Sequence, residues 1–288
     1  MKKYFYRTAT FMCLAALVAF ASCKKEDVKV LFTGTIEQPT IQGKTSIEIE
    51  ARTHVAVVKW EDDDQIALYN DDLTRYTLSA DPTGDHTIAN FVITEPVGEG
   101  PYTAIYPAAL ALESSPYLRS CTLPEVQDAT HFKAPMHAYC AAGDNNLRFE
   151  NFCGVIRLNL PNVTKTITSV VLYTQNNVIA GTINYRASLY LGYLGIDVEG
   201  EGHTVTLDCG AGITGNAGPF YIYLPQDEYS AMTFTIYAED GSYAVKSFTA
   251  ETDPSTGDPI DPIDIVHGTY YPTTFSSLSN ADFVSSGK

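Results

Sequence analysis

Apolar and polar residues alternate with a period of two along much of the chain. In Lys44-Thr45-Ser46-Ile47-Glu48-Ile49-Glu50, Ile47 and Ile49 share one face. Val155-Ile156-Arg157-Leu158-Asn159-Leu160, Val205-Thr206-Leu207, Tyr221-Ile222-Tyr223-Leu224 and Phe234-Thr235-Ile236-Tyr237 read the same way. That period places successive side chains on opposite faces of a strand. Turn signals recur between the runs: Asn70-Asp71-Asp72, Pro82-Thr83-Gly84-Asp85, Val97-Gly98-Glu99-Gly100, Asp144-Asn145-Asn146 and Asp240-Gly241. The last joins two alternating runs and predicts a hairpin. No long stretch has a helical period. The pattern therefore predicts an all-β protein made of antiparallel β-sandwiches.

Two tandem sandwiches suit the length. A break at Pro161-Asn162 predicts an N-terminal domain over 28–161 and a C-terminal domain over 162–275, followed by a polar tail over 276–288 that is expected to be mobile. The stretch 108–146 is poorer in strand pattern and is expected to form a long ordered excursion. Asp253 to Asp264 reads as a Pro/Asp-rich loop.

The first 22 residues depart from this pattern. Lys2, Lys3 and Arg7 precede an uncharged stretch over 8–20, and the small residues Ala21 and Ser22 lead into Cys23. This is the layout of a secretory signal over 1–22. The apolar stretch is shorter than the roughly 20 residues of a membrane-spanning helix. Phe20-Ala21-Ser22-Cys23 resembles the lipobox of bacterial lipoproteins, which implies cleavage between Ser22 and Cys23 and a lipid on Cys23. The tether 23–27, Cys23-Lys24-Lys25-Glu26-Asp27, looks like the export signal that sends lipoproteins to the outer face of the outer membrane in Bacteroidetes.

Charge narrows the partners. The chain has 18 Lys and Arg against 34 Asp and Glu, a formal net charge of −16, and the leader holds only basic charges. So acidic a surface repels phosphate backbones, and nucleic acid is excluded as a partner. Beyond Cys13 and Cys23 the cysteines are Cys121, Cys140, Cys153 and Cys209. None has a CxxC spacing, so zinc is not expected; buried thiols and disulfides both remain open.

Catalytic signatures are missing. The histidines 54, 86, 131, 137, 203 and 267 are scattered, and the sequence has no GxSxG, no HExxH and no phosphate loop beside a helix. Gly210-Ala211-Gly212-Ile213-Thr214-Gly215 fits GxGxxG formally but is read as a loop. Asp62, Asp63 and Asp64, or Asp253, Asp258, Asp261 and Asp264, could bind calcium, yet neither set has EF-hand spacing, and solvated loops are expected. No enzyme activity, cofactor or metal is expected. The dense tyrosines Tyr185, Tyr190 and Tyr193 keep a glycan-binding surface lipoprotein as the alternative reading.

The order of landmarks adds to this. It runs Lys44-Thr45, then Val58-Lys59-Trp60-Glu61-Asp62-Asp63-Asp64-Gln65-Ile66-Ala67-Leu68-Tyr69, then Tyr102-Thr103-Ala104-Ile105-Tyr106-Pro107 and Ala134-Pro135-Met136-His137-Ala138. Leu147-Arg148-Phe149-Glu150-Asn151-Phe152 and Pro219-Phe220-Tyr221-Ile222-Tyr223-Leu224-Pro225 follow. Together they resemble the fimbrillin family of Bacteroidetes, including the Mfa-like lipoproteins. The resemblance implies two transthyretin-like sandwiches and a role in type V pili, as a fimbrial subunit or anchor in adhesion. It also implies removal of an N-terminal strand after an arginine, and filling of the vacated groove by a strand of a neighbouring pilus subunit. Carried onto this sequence, Val28, Val30, Phe32 and Ile36 mark the removable strand and Arg52 the cleavage site. The expected location is the outer membrane surface or a fimbria, with a host protein or glycan as a further partner.

Overall fold

The computed structural model describes residues 29–38, 40–41, 58–95, 97–98, 100–188, 192–250 and 261–285. Residues 1–28, where the leader and the lipid site are expected, and the alternating run 44–50 lie outside these residues. The first half holds β1 (Val30–Ile36), β2 (Thr40–Ile41), β3 (Gln65–Tyr69), β4 (Arg75–Ser79), β5 (Asp81–Thr83), β6 (Ile88–Ile93), β7 (Tyr102–Tyr106), β8 (Leu118–Leu123), β9 (Val126–Asp128), β10 (Met136–Cys140) and β11 (Asn146–Asn151). The second holds β12 (Cys153–Asn159), β13 (Thr166–Thr174), β14 (Ala180–Ser188), β15 (Gly192–Gly202), β16 (Thr204–Thr214), β17 (Phe220–Pro225), β18 (Asp227–Tyr229), β19 (Ala231–Ala238), β20 (Ser242–Thr249), β21 (Ile263–Ile265), β22 (Thr269–Thr274) and β23 (Val284–Ser285). The helical turns among the described residues are short 3₁₀ segments, and the chain is all-β. No helix among the described residues is long and apolar enough to cross a membrane.

The strands form an eight-stranded sheet, β4-β3-β7-β10-β11-β1-β6-β5, and a four-stranded one, β17-β12-β22-β2. A six-stranded sheet, β23-β20-β19-β13-β16-β9, and a three-stranded one, β15-β14-β8, complete the main layers. One pairing scheme is used twice. β1 lies between parallel β11 and antiparallel β6, and β12 lies between parallel β22 and antiparallel β17. The ladder β4-β3-β7-β10 of the first half matches β16-β13-β19-β20 of the second. The parallel pairs are an addition to the antiparallel architecture expected from the alternation, which carries no information about strand direction.

Apolar burial follows the same division. One core cluster gathers Phe32, Trp60, Phe91, Tyr102 and Phe149; another gathers Leu158, Val170, Leu207, Phe234 and Ile236. A third, with Ile105, Cys121, Phe152, Val155, Ile183 and Tyr223, joins strands of both halves. β11 ends the first sheet and β12 opens the second, so the sheets change over at Phe152, one strand before Pro161.

Three expectations need correction. The stretch 108–146 is no excursion, because it contains β8, β9 and β10. β8 and β10 hide from the alternation rule because most of their residues are buried on both faces. The Gly210–Gly215 string is not a simple loop either. β16 runs on to Thr214, with Gly210 and Gly212 at φ 56° and 98° beside a register shift in β13. The polar tail is also ordered as far as 285. Ser279 and Asp282 form a capping box, and β23 pairs with β20.

Candidate functional site

Of the residues expected at the site, Ser22, Cys23, Val28 and Arg52 lie outside the described residues. Val30, Phe32 and Ile36 are on β1, whose burial alternates. Phe32 is fully buried, Ile36 nearly so, and half-buried Val30 packs at the edge of the same core. The outward residue Leu31 is 50% exposed. β1 is an inner strand: Phe32 sits opposite Phe91 of β6, and Gly34 sits opposite Ala89 of β6 and Leu147 of β11. Backbone ladders thus hold it on both sides, at about 0.5–1.5 kcal/mol net for each hydrogen bond. Burial of Phe32 and Ile36 adds roughly 1.5–3 kcal/mol apiece.

The floor under β1 is aromatic. Phe32 meets Tyr102 edge-on at 4.9 Å. Trp60 packs edge-to-face on Phe91, Tyr106 and Phe149 at 5.3, 5.3 and 5.2 Å. Its Nε1 donates to the Gly34 carbonyl at 3.2 Å. The rings come so close at Gly34 that a Cβ there would lie 2.6 Å from Phe91 Cε2 and 3.2 Å from Phe149 Cε2. A glycine inside a strand marks such an approach.

Trp60 is itself fixed. Its backbone N–H donates to the His86 carbonyl at 2.8 Å, and His86 Nδ1 lies 3.1 Å from the Trp60 carbonyl. Downstream, buried Asp64 accepts from the Glu61 N–H and the Tyr106 hydroxyl, each at 2.8 Å. Lys133 Nζ reaches Asp64 at 2.9 Å, Asp63 at 3.4 Å and Glu61 at 3.8 Å. Burial and the Asp64 charge push the Tyr106 phenol far up, so it stays a donor. Burial works against the Lys133 charge, but the hydrogen bond and charge of Asp64 outweigh it and raise its pKa.

This bears on the calcium candidates. Glu61, Asp63 and Asp64 converge, but the Lys133 ammonium already sits among them, and Asp62 points to solvent. Asp253 and Asp258 lie outside the described residues; Asp261 and Asp264 are exposed. Cys121, Cys140, Cys153 and Cys209 are free and buried. Burial pushes the Cys140 and Cys209 thiols up to about 12.

Tyr185 serves the interior. Its ring lies 4.3 Å from that of His137 and under the Arg119 guanidinium at 4.1 Å. Tyr190 and the Tyr193 side chain lie outside the described residues. Sequence reasoning passed over Trp60, Gly34 and β2. The glycine inside an alternating run was the signal available for Gly34.

No family model and no curated protein matches the chain. It is similar to solved structures of surface proteins. One is a "putative cell adhesion protein" from Bacteroides uniformis ATCC 8492, at 14% identity and TM-score 0.48, covering 91% of this chain and 96% of that one. Another, with the same description, is from Bacteroides ovatus ATCC 8483, at 12% and 0.47, covering 90% and 95%. A third is the tip fimbrial protein Mfa3 from Porphyromonas gingivalis, at 11% and 0.37, covering 88% and 96%. Likenesses this distant carry no function by themselves.

Proposed function

We propose that the chain is a fimbrillin-like cell-surface adhesion subunit that assembles by strand exchange at the β1 groove. The observation that carries this reading is the position of β1. It is an inner strand of the first sheet, yet it is the first strand in sequence among the described residues and is followed by the stretch that contains Arg52. A cut after Arg52 would free β1 from the body without breaking any other described strand of that sheet.

The consequences follow from the pairing. Loss of the segment leaves the edges of β6 and β11 unpaired and uncovers Phe91, Tyr102 and Phe149. β2 leaves with it, which frees the edge of β22 in the second sheet. Unpaired backbone groups beside apolar pockets are a template for an added strand. A strand donated by another subunit would restore both. If Arg52 stays uncut, β1 keeps its own groove and a lipid on Cys23 keeps the chain at the outer membrane. The molecule is then an anchor or terminal subunit rather than a stalk piece.

A photo-crosslinking residue at Val92, which is exposed opposite Leu31, tests the exchange. In surface assemblies the adduct should join two polypeptides. An adduct confined to Leu31 of the same chain in those assemblies would sink the proposal.

A further inference from the structure

We infer that the β1 groove selects its occupant by a missing side chain: an incoming strand must carry glycine opposite Ala89 and Leu147, with apolar residues two positions to either side. This rests on the strand-exchange reading, and β1 is the occupant that shows the rule. Its sequence over the contact is Phe32-Thr33-Gly34-Thr35-Ile36. Phe32 and Ile36 fill the core, whereas at Gly34 the backbone rides on the rings of Phe91 and Phe149. A Cβ at 2.6 Å from a ring carbon needs the ring to move. Phe91 cannot do so freely, because Trp60 packs edge-on against it and also against Phe149. The Trp60 Nε1 bond to the Gly34 carbonyl fixes the height of the strand above this floor. Alanine would therefore cost both packing and that bond.

The second half also carries a crowded glycine in the equivalent strand, although there the flanking Phe152 and Ile156 pack into different core clusters. β12 has the same neighbours as β1, one parallel and one antiparallel strand. Across its start the sequence reads Phe152-Cys153-Gly154-Val155-Ile156, the same spacing of Phe, Gly and Ile. A Cβ at Gly154 would lie 2.6 Å from Ile265 Cγ2 and from the Val266 carbonyl. The atoms that crowd the glycine differ, Ile265 lying on β21 outside β12's own sheet, but in each half the strand is approached closely at a residue without a side chain. β12 is continuous with the chain on both sides, so only β1 can pass this rule on to a partner.

The test uses the full chain with a site-specific protease sequence in place of residues 50–53. After the cut, labelled peptides spanning Lys29–Glu37 compete for the groove. Binding is read by anisotropy and by the fluorescence of Trp60, the single tryptophan. The native sequence should exchange in. A Gly34→Ala peptide should bind at least about tenfold more weakly. A Thr35→Ala peptide, altered on the outer face, should stay within about twofold. Phe91→Leu in the acceptor should shrink the alanine penalty by making room for the methyl group. Equal binding of the glycine and alanine peptides would overturn the glycine rule and leave strand exchange standing. Failure of every peptide, the native one included, would overturn both.

Discussion

At the scale of single residues, Trp60 is the link between the loop after the Arg52 stretch and the strand before it. Its ring completes the floor, and its Nε1 ties the Gly34 carbonyl, a buried acceptor 26 positions away in sequence. Trp60→Phe keeps an aromatic ring but removes the donor. The loss of one buried bond predicts a destabilisation of roughly 1–3 kcal/mol, read as a shift in denaturation midpoint, together with faster release of the cut segment. An unchanged midpoint and release rate would show that the Gly34 carbonyl needs no partner. Both residues were visible in the sequence, but their relation was not. A lone tryptophan says nothing about which backbone it will touch, while a glycine in a strand says only that something comes close.

At the scale of elements, alternation located the strands that face solvent on one side. β16 and β19 fall on alternating runs and bury one face, and Asp240-Gly241 makes the β19–β20 turn with Gly241 at φ 78°. β8 and β10, covered on both faces, were lost, because their buried polar residues do not mark solvent. Arg119 and His137 are both buried, with Arg119 Nη1 3.4 Å from His137 Nδ1, and Tyr185 of β14 covers them.

That packing predicts an acid weakness. Burial first, and the Arg119 and His267 charges next, hold the His137 pKa well below 6.5. The unfolded chain therefore binds a proton below about pH 6.5 that the folded chain refuses. Stability from this group is full above that pH and falls as pH drops below it. Glu150, which sits opposite His137 on β11 and also faces Arg119, and Tyr139 are the other titratable groups around the cluster. Urea titrations at pH 7 and pH 5 should show His137→Gln losing less stability than the parent on acidification. Equal losses would place the acid sensitivity elsewhere.

At the scale of the molecule, the sequence led to an all-β chain. Its twice-used ladder was not legible, because strand order is set by contacts between residues far apart in sequence. The lipid site and Arg52 lie outside the described residues, so they stand as proposals that meet the structure at one point: β1 and β2 lie between them in the chain. A chain held by a lipid on Cys23 remains at the membrane. A chain cut after Arg52 loses the lipid, β1 and β2 in one step, and so gains its open groove only when it is free to leave. Intact-mass analysis of subunits shed in surface assemblies tests this coupling most directly. The account predicts a mature N-terminus at Thr53; an acylated Cys23 on the assembled chains, with β1 still attached, would contradict it.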